Sequence, residues 1–303
     1  MPRKENLLSV FLKGAAMGTA NVIPGVSGGT IAFITGIYER LIYALKSFNT
    51  TAIGFLLKGK FKNFVQYTDL GFLSTLGAGV AVSILSLAKL FDYLFATYPV
   101  LLWAFFFGLI LASVYYVGKQ VTKWSATAIV ALIIGTIIAV GISLLNPAQE
   151  NSSFWYVFLC GIVAICSMIL PGLSGSFILI IMGNYRLILR AIGKFNFSVL
   201  LPLGLGCVVG VVAFSNLLSY VFKRFPDVTI ALLTGFILGS LNILWPWKEA
   251  AETFIKPNGE ETILKYAKVL PNSLDAHNIM AIALVFLGIA SIFIIERLAK
   301  PIT

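Results

Sequence analysis

The chain has 303 residues, 59% of them hydrophobic and 11% charged, with a formal net charge of +10. A soluble domain is about half apolar, so this balance, arranged in apolar runs of about 20 residues, excludes an ordinary soluble enzyme and describes a multi-pass inner-membrane protein. The positive excess needs no nucleic acid, because Lys and Arg gather in cytoplasmic loops and against anionic lipids.

Residues 7–23 are apolar and rich in small side chains; Lys13 within the run and the lack of a clear cleavage site mark it as retained rather than a signal peptide. The run then breaks at Asn21-Val22-Ile23-Pro24-Gly25-Val26-Ser27-Gly28-Gly29-Thr30-Ile31, and apolar residues resume to Lys46. As one helix of about 40 residues this segment would be about 60 Å long, twice the hydrocarbon thickness. It is therefore expected to fold back as a hairpin over 7–46, either as two full spans or as two half-helices entering and leaving on one side. Lys58, Lys60 and Lys62 among aromatics predict a basic amphipathic stretch over 47–69 on the membrane surface. Spans follow at roughly 70–90, 99–118 and 124–145, and a loop at 146–153 separates the halves.

The second half repeats this plan with a hairpin at 154–192 and spans at roughly 198–221, 227–246 and 277–296. Its break places Pro171, Gly172, Ser174 and Gly175 147 positions after Pro24, Gly25, Ser27 and Gly28. Gly14, Gly36, Tyr38, Phe48 and Asn49 match Gly161, Gly183, Tyr185, Phe195 and Asn196 at the same offset. Pro99 and Gly108 match Pro226 and Gly235 at 127, so the first half holds a 20-residue insertion that includes the basic stretch. A hairpin does not change side and three spans do, so the second half is inverted. The expected fold is an all-α polytopic membrane protein with an inverted-topology repeat: residues 1–150, then 151–303, each a re-entrant hairpin plus three transmembrane helices.

With both termini cytoplasmic, most of the 22 Lys and Arg fall inside, including Lys119, Lys123, Lys223, Arg224, Arg297 and Lys300. Lys89, Arg186, Arg190 and Lys194 are exceptions, as are the lysines of the acid-rich loop 247–276. A rival topology in which the motif segment crosses once scores equally, but it requires the 60 Å crossing. Inverted repeats with broken helices near the midplane are the architecture of many secondary transporters.

A helix broken in lipid must satisfy its freed backbone groups, so the break is costly unless it lines a cavity or binds something polar. The returning half-helices are expected to begin near Gly28–Thr30 and Gly175–Phe177, leaving N–H groups free. With glycines for close approach and the hydroxyls of Ser27, Thr30, Ser174 and Ser176, that chemistry suits an anion, phosphate above all. The candidate phosphate-binding residues are Pro24, Gly25, Ser27, Gly28, Gly29 and Thr30 with Pro171, Gly172, Ser174, Gly175 and Ser176. A serine-capped turn packed through glycine explains one copy alone; a shared site better explains two. Glu39, Arg40 and Arg186 are charge or gating candidates, with snorkelling to the headgroups as the plainer role. Gly14 with Gly18 and Gly235 with Gly239 have helix-packing spacing. Cys160, Cys166 and Cys207 suggest packing only, and the single His277 leaves little for His-based phosphotransfer or a His-ligated metal.

The stretch Gly14–Leu41 with Pro24-Gly25-Val26-Ser27-Gly28-Gly29-Thr30 and Gly36-Ile37-Tyr38-Glu39-Arg40, and the paired Pro171-Gly172-Leu173-Ser174-Gly175-Ser176 and Gly183-Asn184-Tyr185, resemble the bacterial membrane family long called domain of unknown function 368. The resemblance covers nearly the whole chain. It implies a flippase that returns undecaprenyl phosphate from the outer to the inner leaflet for cell-envelope synthesis, with polyprenyl phosphate as substrate and a proton or sodium ion as the coupling partner to consider. Asn21 departs from the Asp expected in many relatives, which bears on that coupling. A membrane-embedded undecaprenyl-pyrophosphate phosphatase is the enzyme alternative, but its Pro-Gly-x-Ser-Arg-Ser arginine corresponds to Gly28 or Gly175 and its paired acids are missing. A transporter or channel for a small soluble anion would share the motif, while a purely structural scaffold would not explain two polar breaks. No catalytic residue, metal ligand or cofactor is assigned, and the chain is not expected to be an enzyme.

Overall fold

A computed structural model describes residues 6–22, 27–255, 261–271, 273 and 275–299. Pro24 and Gly25 lie outside the described residues. The first half runs α1 (Leu7–Val22), α2 (Gly28–Ile34), α3 (Tyr38–Lys46), α4 (Thr50–Leu57), α5 (Phe61–Tyr67), α6 (Leu70–Thr97), α7 (Pro99–Gly118) and α8 (Ala126–Ser143). The second runs α9 (Phe154–Ile169), α10 (Gly175–Ile181), α11 (Tyr185–Gly193), α12 (Phe197–Arg224), α13 (Pro226–Leu244), strands β1 (Lys248–Ile255) and β2 (Glu261–Lys268), and α14 (Ala276–Ala299). Among the described residues, six helices are long and apolar enough to cross a membrane: α6, α7, α8, α12, α13 and α14.

The helix breaks fall where the two motifs place them. At seven residues each, α2 and α10 are about 10 Å long, too short to cross. Each is followed by a glycine in the left-handed region, Gly36 at φ +73° and Gly183 at φ +74°, a conformation with little steric cost for glycine. The chain bends there, by 113° between α10 and α11. Asn49 and Asn196, a matched pair in sequence, are both N-caps: Asn49 accepts from Thr51 N and Ala52 N, and Asn196 from Ser198 N. In the second half the capped helix is the span α12 itself. In the first, α4 and α5 intervene, so the insertion is two short helices carrying Lys58, Lys60 and Lys62.

The chain divides into two compact units, one running to Phe91 and resuming over Ser113–Ser240, the other comprising Asp92–Ala112 and Leu241 onward. Within the first, close helix packing is repeated. A Cβ on Gly14 would lie 2.2 Å from the Leu76 carbonyl oxygen, and one on Gly79 2.2 Å from that of Phe11. At the repeat-equivalent positions, Gly161 meets the Leu203 carbonyl at 2.3 Å and Gly206 that of Phe158 at 2.0 Å. The α1–α6 and α9–α12 pairs thus approach through the same small-residue surfaces. Gly135 of α8 and Gly235 of α13 are pressed against each other's helix at Leu232 and Leu132. Within the second unit, Gly288 of α14 and Gly108 of α7 do the same at Phe105 and Val285. The third span of each half therefore packs on the second span of the other, as an internal repeat requires.

The membrane-crossing helices agree with the all-α expectation; the loop 247–276 does not. It forms an antiparallel ribbon, with Lys248 paired to Lys268 and Ile255 to Glu261. Two eight-residue strands satisfy their backbone groups on each other once the chain leaves the span, and Pro257-Asn258-Gly259 between them is a hairpin cue in the sequence. Two of its lysines are tied locally. Lys248 Nζ donates to the Ile243 carbonyl at 2.5 Å and lies 4.2 Å from the centre of the Trp103 ring, while Lys268 Nζ donates to Asn242 Oδ1. Burial, then the neighbouring Lys268 charge, lowers the Lys248 pKa to about 8.

Gly14→Ala should lower stability by about 1–3 kcal/mol through overpacking, a fall of a few degrees in Tm of the detergent-solubilised protein. Gly77→Ala, where nothing lies within 4 Å of the added Cβ, should leave Tm unchanged or raise it. Equal Tm values for the two variants would contradict the packing described.

Candidate functional site

The two breaks meet. Ser27, the N-cap of α2, donates through Oγ to the Leu170 carbonyl at 3.0 Å, while its Oγ accepts the Gly29 N–H at 3.1 Å. Thr30 Oγ1 in turn accepts the Gly172 N–H at 3.0 Å, in surroundings where both groups are buried. These bonds join residues more than 140 positions apart. They replace the helical partners that the breaks remove.

The motif glycines have separate roles. A Cβ on Gly29 would come within 2.7 Å of the Ile169 carbonyl, so this glycine lets the hairpins touch. Gly172 has φ +83°, and its Cβ would meet the α13 backbone at Ile237 N, 2.5 Å away; only glycine meets both demands. Gly28 packs against Asn21, and Gly175 against the Ala164 carbonyl of α9.

Beside this junction is a cavity of about 120 Å³, lined by Asn21, Ser27, Met168, Leu173, Ser174, Gly175 and Ser176. That is several times the ~30 Å³ share of one water, room for a small polar headgroup but not for a long prenyl chain. The two copies contribute differently. In α2 the first amides are already taken: Gly28 N–H by Asn21 Oδ1 at 2.8 Å, Gly29 N–H by Ser27 Oγ and Thr30 N–H by the Ser27 carbonyl. In α10 the Phe177 N–H donates to Ser174 Oγ at 3.5 Å, whereas the Gly175 and Ser176 amides have no acceptor among the described residues. The Ser174 and Ser176 hydroxyls lie 2.9 Å apart and share one hydrogen bond, which leaves one hydroxyl hydrogen to donate elsewhere. Because Asn21 Oδ1 accepts from Gly28, its Nδ2 is also a donor, again without a described acceptor. Among the described residues, the wall therefore offers several donors and no carboxylate, a set that suits an anion.

Of the residues expected from sequence, Ser27, Ser174, Gly175 and Ser176 line the cavity; Gly28, Gly29, Thr30, Pro171 and Gly172 are buried around it. Glu39, Arg40 and Arg186 do not line it. Glu39 and Arg186 are exposed. Arg40 Nε pairs with Asp69 at 2.7 Å and its guanidinium lies over the Phe72 ring at 4.2 Å. Sequence reasoning noted Asn21 only as a departure from a family pattern. Its position in the last turn of α1, seven residues before Gly28, was the cue that it could reach back to the break. Asn184 was also missed: fully buried, it exchanges two hydrogen bonds with Asn151 (2.9 and 2.8 Å) and ties loop 146–153 to the second hairpin.

Thr30→Val leaves the buried Gly172 N–H without its acceptor, which should cost about 1–3 kcal/mol and lower Tm, while Thr30→Ser keeps the acceptor and restores it. A valine variant as stable as the parent would show that this bond does not hold the hairpins together.

Comparison with known proteins bears on what the cavity holds. A polyprenyl-phosphate transporter of Vibrio cholerae serotype O1 is 39% identical over 301 residues, covering 97% of this chain and 98% of the relative. A polyprenyl-phosphate transporter of Staphylococcus aureus is 32% identical over 254 residues, covering 78% and 85%. No solved structure matches. The family profile described as VCA0040-like, undecaprenyl phosphate translocase-like, matches residues 17–262, a range that contains both breaks and the whole cavity wall, and the chain belongs to that family.

Proposed function

We propose that this chain is a polyprenyl-phosphate flippase that returns undecaprenyl phosphate from the outer to the inner leaflet without cleaving it. The supporting observation is the donor-lined cavity at the meeting of the two breaks. On this reading the phosphate accepts from the Gly175 and Ser176 amides, the free Ser174 or Ser176 hydroxyl hydrogen and Asn21 Nδ2, while the prenyl chain stays in lipid. An unassisted charged phosphate crossing hydrocarbon loses its hydration at a cost of many kcal/mol; fixed donors at mid-depth replace part of that hydration.

Each half then acts as a re-entrant hairpin plus three spans, inverted relative to the other, with both termini cytoplasmic, and rocking of the halves exposes the site to each leaflet in turn. Anionic lipids surround the basic surfaces. A coupling proton or sodium ion cannot use a carboxylate at position 21, since Asn21 does not ionise. Among the described residues, the cavity wall carries no Asp, Glu, His or Arg, so on this reading pyrophosphate cleavage would lack a general base and a charge clamp there. A small soluble anion would find the same donors, but the relatives' names favour the lipid.

In proteoliposomes, the purified protein should move undecaprenyl phosphate between leaflets without phosphate release, and Ser174→Ala with Ser176→Ala should slow this about tenfold or more. Asn21→Asp exchanges a donor for an anion, so its transfer should fall as pH rises and the carboxylate ionises, and recover as pH falls. Phosphate release from undecaprenyl pyrophosphate would instead make the protein an enzyme. No lipid movement would turn the reading toward a small anion.

A further inference from the structure

The cations of α11 are not explained by the cavity. Arg186, Arg190 and Lys194 are spaced by four residues, so they form a stripe on one helical face, and all three are exposed. A second cavity, about 270 Å³, lies along this stripe and is lined by Leu187, Arg190, Ala191, Lys194 and Asn196. Leu189 and Ile192 on the same helix and Phe195 and Phe197 just after it are exposed, the two phenylalanines at 74% and 72%. Glu150 pairs with Arg190 at 2.5 Å, which leaves three cations against one carboxylate. Among the described residues, the side chains of Arg186 and Lys194 have no hydrogen-bond or ion-pair partner.

The matching helix of the first half lacks this stripe. Glu39, Tyr43 and Ser47 stand where Arg186, Arg190 and Lys194 stand. A cation in a last turn offsets the helix dipole, but α3 fills that role with Lys46, bonded to Ser219 Oγ at 3.1 Å, and α11 carries more than it requires. If the halves are inverted, α3 and α11 lie at opposite membrane faces, and the stripe is on the outer face, where the positive-inside tendency removes Lys and Arg. Topology therefore gives no reason for these cations, whereas an anionic ligand does.

We propose that the α11 stripe is an outer-leaflet loading site for the phosphate monoester of a prenyl lipid, with Arg190 and Lys194 holding the headgroup against Leu187 and Ala191 while Leu189, Ile192, Phe195 and Phe197 lie among the chains. The inference rests on the outside-to-inside flippase reading above. A phosphate monoester carries up to two negative charges and matches a pair of cations better than a phosphodiester headgroup does. Displacement of Glu150 from Arg190 by the phosphate accompanies loading.

The test uses the full-length protein in phosphatidylcholine liposomes with a prenyl phosphate bearing a diazirine on its first isoprene unit. Cross-links should map to residues 185–197 and fall about thirtyfold in Arg190→Gln/Lys194→Gln, given about 1 kcal/mol per interfacial cation and about tenfold per 1.4 kcal/mol. The matching alcohol should not cross-link there. Ser174→Ala/Ser176→Ala should keep these cross-links while losing transfer, which separates loading from translocation. Cross-links unchanged in the glutamine variant, in protein that still moves the lipid, would overturn this inference and leave the flippase reading standing. Equal competition by inorganic phosphate would assign the stripe to a soluble phosphate, and equal competition by phosphatidylglycerol to general surface anchoring; either result overturns the loading site.

Discussion

A buried backbone N–H or C=O without a partner is costly, and this chain breaks two helices under that constraint. The second break is tolerated because the first hairpin supplies partners for its backbone. Ser27 gives a hydrogen to the Leu170 carbonyl, and Thr30 takes one from the Gly172 amide. The glycines between them are there because backbones must touch: Gly29 lies against Ile169, and Gly172 turns through the left-handed region against α13. The rest of the first compact unit positions this junction, with α1 and α9 carrying the two breaks and α6 and α12 packed on them through paired glycines.

Once bracing is accounted for, the duplicated motif has unequal halves. The first copy spends its donors internally, on Asn21, Ser27 and the contact with the second hairpin. The second retains amides at Gly175 and Ser176 with no acceptor among the described residues, and a spare hydroxyl hydrogen. A symmetric phosphate clamp, which the sequence invites, becomes a brace on one side and a donor surface on the other. The same division appears at the helices that follow: α3 has Arg40 locked to Asp69 and Phe72, while α11 presents an exposed basic stripe.

Much of this was legible in the sequence because the informative features are periodic or steric. Apolar run lengths locate the spans to within a few residues, Pro99 and Pro226 mark two helix starts, and the breaks begin new helices at Gly28 and Gly175 as the motif suggests. The 20-residue difference in offset resolves as α4 and α5. Less legible were features that depend on which side chain reaches which backbone. Nothing in the residue types distinguishes Ser27 as a brace from Ser174 as a cavity hydroxyl, and Asn21 gains its meaning only from the Gly28 amide 2.8 Å away. The β ribbon was hidden by its composition, since Lys248–Ile255 and Glu261–Lys268 are too polar to register beside the spans, although a turn sequence separates them.

The central claim is that the lipid phosphate sits where the two broken helices meet. A structure of the protein in nanodiscs with bound undecaprenyl phosphate tests it most directly. The account predicts phosphate density within hydrogen-bond reach of the Gly175 and Ser176 amides and Asn21 Nδ2, with the prenyl chain leading into lipid. Bound phosphate away from both hairpins, with the Asn21–Ser176 cavity empty or holding only water, would contradict it.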